Sequence, residues 1–349
     1  MNAPTDILQR KDEHLDLAMA QARRTRSNAF DALILEHCAL PELALDDVDI
    51  SVRFLGRHLP APLLISSMTG GPARGAAINA RLAEAAQTLG VPLAVGSQRV
   101  ALEGAGDGGI DASLRRRAPD ILLLANLGGA QLAQPGGLDA ARRCVDMIEA
   151  DALIIHLNPL QEAVQAGGDR NWRGILAAIG DLAAKLERPV VIKEVGYGLS
   201  ASVARRLVEV GAAALDVAGA GGTAWAQIEA DRAAQPGDRE IGEAFAGWGI
   251  PTPLAIAEVR KACPTTPLVG SGGVRHGVDA AKAIHLGADL AGFAGAVLAS
   301  ALASTEAVIE KLDAYARQLR IACFAAGARD LAALRSVRLL SHAHPADHL

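Results

Sequence analysis

Eight short apolar runs, each ending in a polar or glycine tip and followed by an alanine-rich stretch, constrain the fold of this chain more than any other feature. They span residues 63–67, 92–96, 121–126, 152–156, 190–194, 214–217, 268–270 and 290–293, and the first four tips recur about every 30 residues. Short, nearly continuous apolar runs read as strands covered on both faces, and the alanine-rich stretches read as crossover helices. Eight such units joined by right-handed crossovers close into a (β/α)8 TIM barrel. A doubly wound open sheet is the alternative, but no GxGxxG follows the first run.

All 349 residues fit one such domain, with 1–60 an N-terminal helical and hairpin segment, 61–330 the barrel and 331–349 a tail. Residues 48–55 alternate at period two and turn at Gly56, which predicts a hairpin sealing one end of the barrel. Between the sixth and seventh runs lies a long insertion, residues 224–253, carrying Trp225, Phe245, Trp248, Pro251 and Pro253. In a βα loop it falls on the face where barrels do chemistry, as a lid or a subunit contact.

Composition removes several function classes. Half of the residues are hydrophobic and 3% aromatic, so the core is built from Ala, Leu, Val and Ile. The net charge is -5 and Lys and Arg are scattered, leaving no basic face for nucleic acid. Cys38, Cys144, Cys263 and Cys323 form no CxxC pair, so neither a zinc site nor a disulfide framework is expected. A reduced, cytoplasmic setting fits. No signal-peptide-like or membrane-spanning apolar stretch is present, so no membrane partner is expected.

A barrel gathers its strand tips at one mouth, and these tips hold Ser67, Met68 and Thr69, then Ser97, Gln98 and Arg99, then Asn126. The next contribute His156, Asn158, Gln161 and Glu162, then Lys193, then Thr223 with Trp225 behind it. The last two tips carry Gly270, Gly272, Gly273, Val274 and Arg275, then Ala294 and Gly295. Glycines let backbone approach a ligand, and helix N-termini present N–H groups, so strands seven and eight form a phosphate cradle. Hydrogen-bonding side chains around a mouth with a phosphate anchor suit a flat ring on a phosphate tail. Flavin mononucleotide has that shape.

Lys193 ends a core strand, Val-Val-Ile-Lys, where an unused charge would be costly. A Schiff base, a partner for negative charge on a reduced flavin, and an ion pair with Glu194 or Asp216 all fit. His156 is placed for a site role, and Glu162, a single carboxylate near phosphate oxygens, suits Mg2+. The Arg10, Lys11 and His14 cluster at the head of a helix reads on its own as a solvated face.

Eight blocks together resemble the type 2 isopentenyl-diphosphate isomerases over about residues 7–330: Arg-Lys-x-x-His at 10–14, Met-Thr-Gly-Gly at 68–71, Gly-Ser-Gln-Arg at 96–99, His-x-Asn-x-x-Gln-Glu at 156–162, Lys-Glu-Val-Gly-Tyr-Gly at 193–198, Gly-Gly-Thr-x-Trp at 221–225, Trp-Gly-Ile-Pro-Thr at 248–252 and Gly-Ser-Gly-Gly-Val-Arg at 270–275. The resemblance implies an FMN-dependent isomerase interconverting isopentenyl and dimethylallyl diphosphate, with NADPH or NADH as reductant, Mg2+, and a tetrameric or octameric homo-oligomer. It implies FMN contacts at Ser67, Met68, Thr69, Ser97, Asn126, Lys193, Thr223, Gly272, Gly273, Val274, Arg275, Ala294 and Gly295. Substrate contacts fall at Arg10, Lys11, His14, Ser97, Gln98, Arg99, His156, Asn158, Gln161 and Trp225, with Glu162 on the metal. Lys193, Gln161 and His156 are the catalytic side chains beside a reduced flavin acting as acid and base. Ala218 departs from the pattern, which has serine there. A flavin barrel oxidising another substrate class, or a non-catalytic flavin or phosphate sensor, are the rival readings.

Overall fold

The computed structural model describes residues 13–21, 28–68, 73–104, 106 and 108–340. Its centre is a closed eight-stranded parallel barrel. In chain order the strands are β1 (Leu63–Ile65), β2 (Leu93–Ala94), β3 (Leu123–Gly128), β4 (Ala152–Leu157), β5 (Val190–Glu194), β6 (Ala214–Asp216), β7 (Leu268–Ser271) and β8 (Leu290–Phe293). Each pairs with the next, and β8 returns to β1 through Ala291, Gly292 and Phe293 against Leu63, Leu64 and Ile65. All eight predicted units are present and no open edge remains.

Side chains of a strand alternate between its two faces, and in this barrel the alternation separates two cores. Ile65, Leu123, Ile155, Val190, Ile192 and Leu215 face outward into the layer shared with the helices. Leu64, Ala94, Leu124, Ile154, Val191, Ala214, Val269 and Leu290 face inward and fill the barrel. Fully burying a Leu or Ile side chain is worth roughly 1.5–3 kcal/mol, so both layers resist a register shift. The predicted hairpin pairs Val52–Phe54 with Arg57–Leu59. Its Phe54 and Leu59 pack onto the inner core, closing that end of the barrel.

The helices follow their apolar stripes. In Gly137–Ile148 the buried residues include Ala141, Cys144, Val145 and Ile148, one face at three- and four-residue spacing. Thr305–Ala325 buries Val308, Leu312, Tyr315, Leu319 and Cys323, and the Ser304 hydroxyl caps it by accepting from the Ala307 N–H. The insertion after β6 folds into two helices, Trp225–Arg232 and Pro236–Ala244. Residues 331–340 are tied to the barrel's surroundings. Leu339–Leu340 pairs with Ile34–Leu35, and Arg335 meets Asp289 at 2.8 Å. Cys38, Cys144, Cys263 and Cys323 are free. Among the described residues no helix is long and apolar enough to cross a membrane.

Candidate active site

Strand parity builds the floor of the mouth. Two residues beyond each inward core residue stand Ser66, Gly96, Asn126, His156, Lys193, Asp216, Ser271 and Gly292, one from every strand. His156 is in register with Lys193, and Lys193 with Asp216. One polar layer therefore covers the apolar plug, and its two glycines leave room above it.

Above this floor lies a cavity with two lobes, of about 210 Å³ and about 410 Å³. Ser67, Lys193, Thr223, Trp225, Ala294 and Gly295 border both, so the lobes are continuous. The smaller lobe gathers His14, Met68, Ser97, Arg99, Asn126, His156, Asn158, Gln161 and Glu162. The larger gathers Gly221, Gly222, Gly272, Gly273, Val274 and Arg275, placing Lys193 and Gly272 on the same cavity. Arg10, Lys11 and Thr69 lie outside the described residues. Gln98 is not brought to the mouth. Its amide donates to the Cys144 carbonyl at 2.9 Å, and its Oε1 accepts from the Asn126 N–H at 2.9 Å, in the layer between β3 and the helix Gly137–Ile148.

The larger lobe fits the phosphate end of a flavin. The nine-residue helix Gly295–Ala303 begins on it with no side-chain cap, so first-turn N–H groups remain for an anion. The helix after β7, in contrast, is capped by His276, which accepts from the Asp279 N–H. A Cβ on Gly272 would run into the Gly219 carbonyl and one on Gly273 into that of Gly221, and both residues have positive φ, 100° and 74°. Arg275 borders this lobe, but Asp279 holds it at 2.8 Å and Asp31 at 2.5 Å. Those carboxylates raise the guanidinium pKa, and Arg275 in turn lowers Asp31 to about 2.

In the smaller lobe a chain of bonds fixes a tautomer. Asn126 Nδ2 donates to the Val95 carbonyl at 3.0 Å and to Ser67 Oγ at 2.9 Å. Its Oδ1 is therefore an acceptor, 2.8 Å from His156 Nδ1, and the neutral imidazole carries its proton on Nδ1. Asn158 Nδ2 donates to Gln161 Oε1 and to Glu162 Oε1, at 3.2 and 3.0 Å. Glu162 Oε2 accepts from the Asp169 N–H at 2.7 Å, which fixes the carboxylate. Arg99 reaches Glu103 at 2.9 Å and Asp169 at 3.1 Å; burial lowers its pKa, but these carboxylates prevail and raise it. Trp225 donates to the Val195 carbonyl at 2.9 Å and meets His14 edge-on at 5.4 Å.

Glu229 borders neither lobe but stands behind the smaller one, and the sequence did not reveal it. Its Oε1 lies 2.9 Å from His14 Nε2 and accepts from Gln161 Nε2 at 3.3 Å, while Oε2 meets Arg232 at 2.7 Å. Burial pushes this carboxyl up, yet the bond and charge of His14, with Arg232 and Gln161, bring it below its ordinary value. It sits in the insertion, far from any strand tip, and carried no local signal. Cys144, Cys263 and His276, considered as oxidase-type groups, border neither lobe.

A family model described as FMN-dependent dehydrogenase matches residues 158–341, more than half of the chain. The isopentenyl-diphosphate delta-isomerase of Stutzerimonas stutzeri (strain A1501) is 62% identical over 96% of this chain and 97% of that protein. The protein of the same name from Xanthobacter autotrophicus is also 62% identical, over 95% and 96%. The chain belongs to the isopentenyl-diphosphate delta-isomerase family. Within that family's barrel, the matched segment starts at Asn158 and takes in Lys193, the glycine cradle and the uncapped helix. A mandelate oxidase variant solved with (S)-mandelic acid superposes with a TM-score of 0.64 at 18% identity, covering 97% of this chain and 98% of that one. That likeness is one of fold.

Proposed function

We propose that this protein interconverts isopentenyl diphosphate and dimethylallyl diphosphate, with FMN in the larger lobe and the substrate in the smaller. The carrying observation is the continuous cavity, with an uncapped helix N-terminus and glycine cradle at one end, a cluster of amide, imidazole and guanidinium groups at the other, and Lys193 bordering both. The 62% identical relatives named isopentenyl-diphosphate delta-isomerase support the same reading.

When bound and kept reduced by NADPH or NADH, FMN supplies the acid–base centre for moving the double bond. Lys193 offers positive charge for the flavin ring, and Ser67, Met68, Thr69, Ser97, Asn126 and Thr223 bind its polar edge. Gly272, Gly273, Val274, Arg275, Ala294 and Gly295 hold the phosphate, chiefly through backbone N–H groups. Arg99, His156, Asn158 and Gln161 grip the diphosphate together with Arg10, Lys11, His14 and Ser97, charge-assisted bonds being the strong ones. Glu162 is the protein ligand for Mg2+, with diphosphate oxygens and water completing the shell. Among the described residues no group of three acidic, His or Cys side chains forms a metal site, so the ion would bind with substrate. Trp225 turns an aromatic face to developing positive charge on the isoprenoid, and Gln161, bonded to Glu229, is placed to relay a proton.

The protein works in the cytoplasm as a homo-oligomer, a tetramer or octamer. Ile241 at 54%, Trp248 at 63% and Leu254 at 52% exposure give the insertion side an apolar surface for a second copy, and light scattering tests this. The functional test is anaerobic turnover of isopentenyl diphosphate with FMN, NADPH and Mg2+. We expect yellow protein, product only after reduction, and loss of turnover with EDTA. FMN binding without allylic product would sink the isomerase reading and leave a flavin sensor. Equal rates from oxidised enzyme without reductant would remove reduced FMN from the chemistry.

A further inference from the structure

Lys193 has two partners below the cavity. Its Nζ donates to the Glu194 carbonyl at 2.6 Å and lies 3.9 Å from Asp216 Oδ2. Asp216 is its register neighbour on β6, is 1% exposed, and borders neither lobe. Ser271 Oγ donates to Asp216 Oδ1 at 2.6 Å and the Ala218 N–H to the same oxygen at 3.2 Å. Oδ2 has no hydrogen-bond partner among the described residues.

This asymmetry favours the carboxylate form of Asp216. Both donors point at Oδ1, so a neutral acid would carry its proton on Oδ2, where nothing accepts it. Leaving a buried O–H unsatisfied is costly. A carboxylate instead aims the bare oxygen at a cation. Burial holds the Asp216 carboxyl above its ordinary value, and the Lys193 charge and the Ser271 and Ala218 bonds offset that only in part. The other nearby acid, Glu194, is spent elsewhere, its Oε2 accepting the N–H groups of Val195, Gly196, Tyr197 and Gly198.

We propose that Asp216 is a positioning residue that holds the Lys193 ammonium at the cavity floor, and that its negative charge limits how much positive potential Lys193 presents to the flavin ring. The proposal rests on the reading that FMN occupies the larger lobe. The Oδ1 contacts to Ser271 and to the turn at Ala218, whose φ is 36°, serve the fold. The oxygen facing Lys193 serves the cofactor.

The test is dye-equilibrated reduction of the FMN-loaded protein. Asp216→Asn keeps an acceptor for Ser271 and Ala218 but removes the charge. The ratio of reduced to oxidised FMN at fixed poise should then rise about tenfold, which is about 30 mV for a two-electron couple. In a Lys193→Met background the same change should produce no shift, because a buried Asp216 without its cation takes up a proton and has no charge left to remove. An unchanged potential in Asp216→Asn, or an equal shift without Lys193, overturns the proposal. Should Asp216→Asn fail to fold, Ser271→Ala takes its place. Without that hydroxyl donor more charge faces Lys193, so the ratio should fall, and an unchanged ratio overturns the proposal. Wild-type protein that binds no FMN would overturn the flavin reading itself, an outcome distinguishable because it precedes any substitution.

Discussion

The floor and the far wall of the mouth are made in different ways. The floor takes one residue from each of eight neighbouring strands, and its members are held by sheet geometry and short bonds such as Asn126 to Ser67 and Ser271 to Asp216. The wall joins segments distant in sequence: His14 on a helix over residues 13–21, Gln161 on Pro159–Val164, and Glu229 with Arg232 on the insertion helix Trp225–Arg232. What ties them is charge, since Glu229 receives His14, Gln161 and Arg232 at once and Arg232 also reaches Glu13 at 2.9 Å. A floor set by strand register keeps its shape through the reaction. A wall set by one carboxylate depends on that carboxylate staying ionised.

The largest expected effect lies on the floor. Lys193→Met should fold, because its backbone bonds are unchanged and the buried Asp216 can take up a proton once its cation is gone. It should nevertheless lower kcat by about 10²–10³, the usual cost of removing one preorganised electrostatic group. Anaerobic turnover read beside the melting temperature checks this, and near-normal kcat would move the chemistry off the floor.

Next comes the wall. Glu229→Gln leaves Arg232 and His14 without their shared anion, a loss of about 1–3 kcal/mol, or roughly ten- to hundredfold in kcat/KM. If the wall is held by charge, flavin affinity should stay the same while substrate affinity falls. Equal loss of both would mean that floor and wall behave as one unit.

A smaller effect separates the regions by pH. The Glu229 pKa is depressed in the folded protein from its ordinary 4.5. Its stabilising contribution is therefore fully present above about that value and is lost as pH falls through the depressed one, where the folded carboxylate takes up its proton. Thermal melts between neutral and acid pH should show this loss in wild type and a weaker one in Glu229→Gln. Identical acid profiles would discard Glu229 as the wall's charged centre.

The floor was largely legible in the sequence and the wall only at His14 and Gln161, for a physical reason. Strand runs with polar tips repeat locally, so Asn126, His156 and Lys193 could be read off one by one. Ser66 and Ser271 could have been read by the same parity, two residues beyond Leu64 and Val269. Glu229 pairs with Arg232 on its own helix, but His14 and Gln161, which tie it to the site, are 215 and 68 residues away, and nothing nearby marks that link. The phosphate cradle was legible as glycines, but which helix offers its N-terminus depends on caps, and His276 capping the helix after β7 shows only in three dimensions.

Gln98 gives the smallest effect and the sharpest contrast between motif and geometry. As part of Gly-Ser-Gln-Arg it was expected on the substrate, next to Ser97 and Arg99, which do border the smaller lobe. Strand β2 ends at Ala94 and a helix runs over Arg99–Leu102, and between them the Gln98 side chain turns down to join Asn126 on β3 with the Cys144 carbonyl. Gln98→Ala would strand that buried N–H and carbonyl, costing about 1–3 kcal/mol of stability, read as a lower melting temperature. Because the carboxamide supports Asn126 and does not face the cavity, KM should hold and kcat should fall only a few-fold as Asn126 and His156 loosen. A raised KM with an unchanged melting temperature would instead put Gln98 on the substrate and shift the boundary between floor and wall.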